Sequence, residues 1–103
     1  MIEDTWVSID VETAGSDPSA HALLSIGACL VTDPDEGFYV ELRPDRASID
    51  PAAMKVHGLG WDRLLADGQP PADAMLALER WLSAHVPGSP VMVGFNAPFD
   101  WMF

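Results

Sequence analysis

The chain has 103 residues, 49% of them hydrophobic, and carries 16 Asp and Glu against five Lys and Arg for a formal charge of -11. That length suits one compact domain with a single core, taken here as residues 1–103, and excludes a comfortable second one. No apolar run approaches the ~20 residues of a membrane helix, so no membrane span is expected.

The elements follow in a legible order. Residues 5 to 12 alternate, with Val7, Ile9 and Val11 on one side and Trp6, Ser8, Asp10 and Glu12 on the other, which is the period of a strand. The near-continuous apolar run from 22 to 31 reads as a central strand, and 37 to 44, opened by Gly37 and closed by Pro44, as a third. Short links between them favour an antiparallel meander. Asp50 as N-cap, Pro51 at the first helical position and Gly58 as the stop then specify a short helix. A further helical turn is expected around Trp61 to Leu65. Pro71 opens a longer helix with Met75, Leu78 and Leu82 at helical spacing, ended by Pro87-Gly88. Residues 90 to 96 form a fourth strand, and a helical crossover of this size brings it parallel to an earlier one.

Met1-Ile2-Glu3-Asp4 has neither the basic nor the apolar segment of a signal peptide, and the single cysteine, Cys29, leaves no disulfide to form. Both features suit a reducing cytoplasm. Cys29 reads as a small buried hydrophobe. His21 and His85 read as a loop residue and a helix-end residue without special roles.

The acids carry the chemistry. On a strand, Asp10 and Glu12 lie at i and i+2, so both carboxylates leave the same face, ~6.6 Å apart along the backbone. Like charges so placed are either simply solvated or neutralised by a cation, and hard cations such as Mg²⁺ choose carboxylate oxygens. Asp100 lies just past the fourth strand, where a third carboxylate could join the first two. Such a set fits two-metal hydrolysis of a phosphodiester. The strongly negative charge argues against a polyanionic partner, which a basic surface normally meets; bound divalent cations would invert the field locally.

Three segments then converge on one family. "SIDVETAG" resembles the first motif of the DEDD superfamily of 3′→5′ exonucleases, in particular its ribonuclease T, oligoribonuclease and proofreading-exonuclease-like members. "FNAPFD" resembles the second, N-x-x-[FY]-D, and "MKVHGL" is similar to the segment that flanks the terminal nucleotide. The resemblance implies an α/β, ribonuclease H-like mixed sheet: the three-stranded meander, helices, then a strand parallel to the first, in the order 3-2-1-4. It implies Asp10, Glu12 and Asp100 as catalytic ligands of two Mg²⁺ or Mn²⁺ ions. It further implies that Thr13 and Ala14 meet the last nucleotide, that Val56, His57 and Phe99 wall its pocket, and that Asn96 steadies the turn into Asp100. Phe95 stands where many members have His. Taken alone, Phe95 and Phe99 read as core residues before base-stacking ones, and His57 could equally do no more than complement its helix dipole.

The family's third motif, a fourth Asp preceded by a general-base His or by a Tyr, is not found after the second motif. The spacing from His57 to Asp62 mimics it, but precedes the second motif. The C-terminal part of the domain is therefore expected to be missing, leaving this chain alone inactive or very weak. The expected function is 3′→5′ exonuclease action on a single-stranded 3′ end of DNA or RNA, releasing nucleoside monophosphates. The rivals are a non-catalytic module that binds nucleic acid or a protein partner, and a plain Mg²⁺- or Ca²⁺-binding protein. Homodimer formation is left open.

Overall fold

A computed structural model describes residues 5–17, 19–86 and 90–94, the last stretch as backbone alone. Its elements are β1 (Thr5–Thr13), β2 (Leu23–Leu30), β3 (Asp33–Glu41), α1 (Pro51–His57), α2 (Trp61–Asp67), α3 (Pro71–His85) and β4 (Pro90–Gly94). The four strands form one sheet in the order β3-β2-β1-β4. β1 pairs antiparallel with β2 and β2 antiparallel with β3, whereas β4 joins β1 in parallel. Meander, helices and parallel fourth strand are as the sequence leads one to expect.

Two boundaries differ in an instructive way. β3 begins at Asp33, which pairs with Leu30, but regular pairing resumes only at Cys29↔Gly37. Residues 34–36 therefore bulge from the ladder, and Pro34 is tolerated because β3 is an edge strand. The helical turn expected at 61–65 is a full two-turn helix to Asp67, with Leu64 fully buried beneath it.

The main core lies between one sheet face and α3, with Val7, Ile9, Ile26 and Ala28 meeting Ala74 and Leu78. Trp81 and Leu82 pack against this cluster, and the Trp81 ring lies 6.1 Å from that of Phe38. Met75, expected in the apolar stripe, is 50% exposed; Ala74 takes the inward position, its small side chain letting α3 approach the strands. A second cluster, Ala14, Ala22, Leu24 and Leu64, sits under α1 and α2 and is completed by Met54, Leu59 and Trp61. It is this second core that holds the end of β1 in place.

Side-chain pairs fasten the helices to β3. Arg63 on α2 donates two hydrogen bonds of 2.7 Å, one to each carboxylate oxygen of Glu41, and the Tyr39 hydroxyl adds a third at 2.9 Å. The guanidinium holds the Glu41 carboxyl below its usual range. His85, at the end of α3, sets Nε2 2.6 Å from Glu36 Oε1 and Nδ1 2.9 Å from the Trp81 carbonyl oxygen. It is thus a cross-link and not the bare helix end expected of it. The Trp81 indole N–H is buried without a hydrogen-bond partner.

Candidate active site

Because side chains alternate along a strand, β1 presents two different surfaces. Val7 and Ile9 enter the core, while Ser8 and Asp10 on the opposite face are exposed. Asp10 faces Gly27 across the ladder and Ser8 faces Cys29. Gly27 and Cys29 are in turn flanked by Tyr39 and Gly37 on β3. Small residues beside Asp10 leave a hollow of about 440 Å³ on the open face, lined by Ser8, Asp10, Cys29 and Tyr39. Cys29 is only partly buried there, so it is no core hydrophobe. The alternation that sends Ala28 inward turns Cys29 outward.

The far end of β1 is built differently. A register irregularity between Glu12 and Thr13 marks the point where the ladder to β2 breaks step. Just beyond it, α1 is fastened to two consecutive carbonyls, one at each of its ends. The Asp50 amide donates to the Ala14 carbonyl oxygen at 2.7 Å. His57 Nε2 lies 3.0 Å from the Thr13 carbonyl oxygen. The Leu59 amide donates to Nδ1 of the same ring at 3.1 Å, so the tautomer that satisfies both contacts carries its proton on Nε2. His57 therefore does more than complement a helix end: it locks α1 against the strand.

The helix so held is capped as its sequence indicates. Asp50 Oδ1 accepts from the Ala52 amide at 3.0 Å, Pro51 opens the first turn, and Gly58 ends it in the left-handed region at φ 68°. Between α1 and the end of β1 lies a cavity of about 330 Å³, lined among others by Glu12, Thr13, Gly15, Asp50, Val56 and His57. Val56 is 86% exposed at its rim, an unusual position for so apolar a side chain. The structure thus gathers Glu12, Thr13, Val56 and His57 around one opening, with Asp10 in the neighbouring hollow on the same face of the strand.

Ala14 is placed otherwise. Its side chain is wholly buried in the second core, its amide donates to the Ala22 carbonyl and its carbonyl accepts from Asp50. Thr13 is 5% exposed, and its hydroxyl donates to the Gly15 carbonyl at 2.7 Å. Both residues shape the cavity by holding the backbone.

The loop from β1 to β2 reveals a part for His21 that its sequence position does not suggest. The imidazole lies directly against Gly15, where a Cβ would come within 2.5 Å of the ring. His21 Nδ1 accepts from the Asp17 amide at 3.1 Å. Asp17 in turn accepts from the Ser19 hydroxyl and amide, which hold its carboxyl below the usual range. Gly15 is required for this ring contact, a through-space constraint with no signature in local spacing.

On the other side of β1, the parallel register runs from Thr5↔Pro90 to Ile9↔Gly94. The described part of β4 therefore ends opposite Ile9, one residue before Asp10. Asn96, Phe99 and Asp100, together with Phe95, lie outside the described residues. Among the described residues, no group of three or more His, Cys, Asp or Glu side chains is disposed to hold a metal ion. The paired carboxylates of one strand face nevertheless have the oxygen chemistry that hard divalent cations select. None of the described helices is long and apolar enough to cross a membrane.

A central strand bearing Asp10 and Glu12, bracketed by an antiparallel meander and a parallel strand, defines the ribonuclease H-like fold of DEDD-type 3′→5′ exonucleases, and the chain is a relative of these proteins. In particular, it is 43% identical over 103 residues to the 3′-5′ DNA exonuclease Cap18 of Escherichia coli, covering 98% of this chain and 55% of that protein. It is 31% identical over 109 residues to ribonuclease T of Hahella chejuensis (strain KCTC 2396), covering 94% of this chain and 50% of the relative. The chain thus spans about half the length of the curated relatives it matches. No protein-family model matches it. Among solved structures, product-bound exonuclease I superposes with a TM-score of 0.78 at 19% identity, over 97% of this chain and 24% of that one. Escherichia coli exonuclease I in complex with a dT13 oligonucleotide gives a TM-score of 0.76 at 17% identity, over 97% of this chain and 22% of that one. At that identity the likeness speaks for the fold.

Proposed function

We propose that the chain carries the nucleotide- and metal-binding part of a 3′→5′ exonuclease that acts on a single-stranded 3′ end and releases nucleoside monophosphates. The observation that carries this reading is the register of the sheet. Asp10 and Glu12 leave one face of the central strand, and β4 ends opposite Ile9, six residues in sequence before Asp100. Asp10, Glu12 and Asp100 would hold the ions. Two Mg²⁺ or Mn²⁺ bound there supply an activated water and charge stabilisation at the attacking and leaving oxygens. They would also offset the local field of a chain whose formal charge is -11.

The chain's own groups supply placement. The 330 Å³ cavity beside Glu12 receives the last nucleotide. Val56 at its rim offers apolar contact to the base or sugar and His57 fixes the wall, while Phe99 would close it and Asn96 would steady the approach to Asp100. Thr13 and Ala14 act through the backbone they hold. DNA is favoured as substrate by the higher identity to a DNA exonuclease, 43% against 31% for ribonuclease T. The second reading, a non-catalytic module that binds nucleic acid or a protein partner, draws on the acidic charge and on the half-length match.

The test compares the chain and a C-terminally extended form on a 3′-labelled oligodeoxynucleotide with Mn²⁺, each beside its Asp10→Ala variant. Metal-dependent release of labelled mononucleotide that disappears in the variant is expected of the extended form. Release unaffected by the substitution would refute the site. Mn²⁺ calorimetry on the same proteins separates the non-catalytic module that binds no metal from the enzyme.

A further inference from the structure

β3 is the edge of the sheet, and the chain itself shows what that edge accepts. At its C-terminal end, Gln69, in the link from α2 to α3, forms a parallel bridge with Leu42. The Gln69 amide donates to Glu41 at 2.9 Å, and the Arg43 amide donates to the Gln69 carbonyl at 2.8 Å. Beyond Gln69 the outer edge of the regular stretch Gly37–Val40 has no strand beside it among the described residues. These four residues offer ~13 Å of ladder.

Alongside them runs a groove of about 420 Å³ between β3 and α3. Its helical wall is a stripe at the spacing of successive turns, Asp73, Leu76, Ala77 and Arg80. Leu76 is 43% exposed there although it is large and apolar. An edge strand beside a groove whose centre is apolar, here Leu76 and Ala77 between Asp73 and Arg80, is an arrangement to which extended peptides add as further strands, main-chain hydrogen bonds giving affinity and side pockets giving specificity. Charge narrows the occupant. The bulge at one end of the stretch carries Asp33 and Asp35, with Glu36 engaged by His85, and α3 lines the groove with one acid, Asp73, and one cation, Arg80. A second copy would set its own acidic bulge near this one, between two chains of formal charge -11. A nucleic acid meets the same repulsion.

We propose that the outer edge of β3 and the adjoining stripe of α3 form a docking site for an extended segment of a partner protein in which basic and apolar residues alternate. The groove shares Phe38 and Tyr39 with the rim of the Asp10 hollow, but its other wall is α3, and the proposal does not depend on the nuclease reading. The probe is a fluorescein-labelled, end-blocked peptide of alternating Lys and Val, titrated with the intact chain and followed by anisotropy. Saturable binding is expected, weakened at least ten-fold when alternate residues are N-methylated and by Leu76→Lys. Met75→Lys, which places the same charge on the same helix outside the groove, leaves binding unchanged. Arg80→Glu removes the opposing cation and tightens binding several-fold, a gain that no folding defect can imitate. The proposal is overturned by absence of saturable binding, by equal binding of the N-methylated peptide, or by equal losses in Met75→Lys and Leu76→Lys. A concentration-dependent dimer that Leu76→Lys disperses in sedimentation equilibrium would seat a second copy there and overturn it as well.

Discussion

The two faces of β1 differ by a single step along the backbone and follow different rules. Val7 and Ile9 are held by bulk: they are buried against α3, and any apolar side chain of similar volume would serve. Asp10 is exposed beside glycine and small neighbours, and nothing in the packing selects it. Glu12 and the cavity beside it are positioned by contacts of another kind, the hydrogen bonds of His57 and Asp50 to successive carbonyls. Stability and chemistry are thus interleaved on one strand, which lets either be altered while the other is watched.

The sharpest separation comes from Asp10→Ala. In the extended form it should lower exonuclease turnover by roughly 100-fold or more, because several kcal/mol of transition-state stabilisation depend on the ions. Urea unfolding of the same variant should shift by less than about 0.5 kcal/mol, since an exposed side chain is removed. A large loss of stability would break the comparison by showing that Asp10 belongs to the scaffold. Leu24→Ala tests the opposite corner: Leu24 is fully buried in the second core, and its truncation should cost about 3 kcal/mol in the same measurement.

Gly15→Ala sits between these extremes. The new methyl would meet the His21 ring, so a loss of about 1–3 kcal/mol is expected from overpacking. Much of that loss should vanish when His21→Ala is added, and a double-mutant cycle measures the coupling. His57→Ala should cost about 1 kcal/mol through its hydrogen bonds to Thr13 and Leu59. Its amide shifts should concentrate at the two ends of α1. If they spread instead through the main core, the strand end is not held separately.

The smallest effect concerns acid. The folded state holds the Glu41 carboxyl below its ordinary value of 4.5 through the Arg63 pair. The unfolded chain therefore binds that proton first as pH falls, so the contribution of the pair is complete above the ordinary value and is lost as pH drops toward the lowered one. Stability profiles of the chain and of Glu41→Gln should run parallel above pH 5 and converge below it, by a margin kept small by solvent exposure of the pair.

Much of the molecule was legible because its signals are local. The two-residue period of β1, the sequence Asp50-Pro51 with Gly58, and the apolar run of β2 each report on backbone geometry within a few residues. Link lengths and the crossover point to an antiparallel meander and a parallel fourth strand, while the place of that strand beside β1 is what the family resemblance implies. Contacts made through space left no such trace. The ring of His21 on Gly15 and the bond from His57 to Thr13 depend on how loops close, and the pairing of Glu41 with Arg63 spans 22 residues. Asp33 enters β3 despite a poor strand sequence because Leu30 is there to pair with it. Met75 lies outside the stripe that spacing suggests, because spacing alone cannot tell which of two adjacent helical positions faces the sheet. For the acids, residue types pointed to a cation, while the cavity that Glu12 shares with α1 became visible only in three dimensions.

β1 has neighbours on both sides, antiparallel β2 and parallel β4. Ladders on both sides of Val7–Ile9 make the amides of that stretch among the last to exchange with deuterium when the domain breathes. Openings at the β3 margin, or within the loop that His21 braces, can therefore come and go in native protein while the strand leading into Asp10 stays paired.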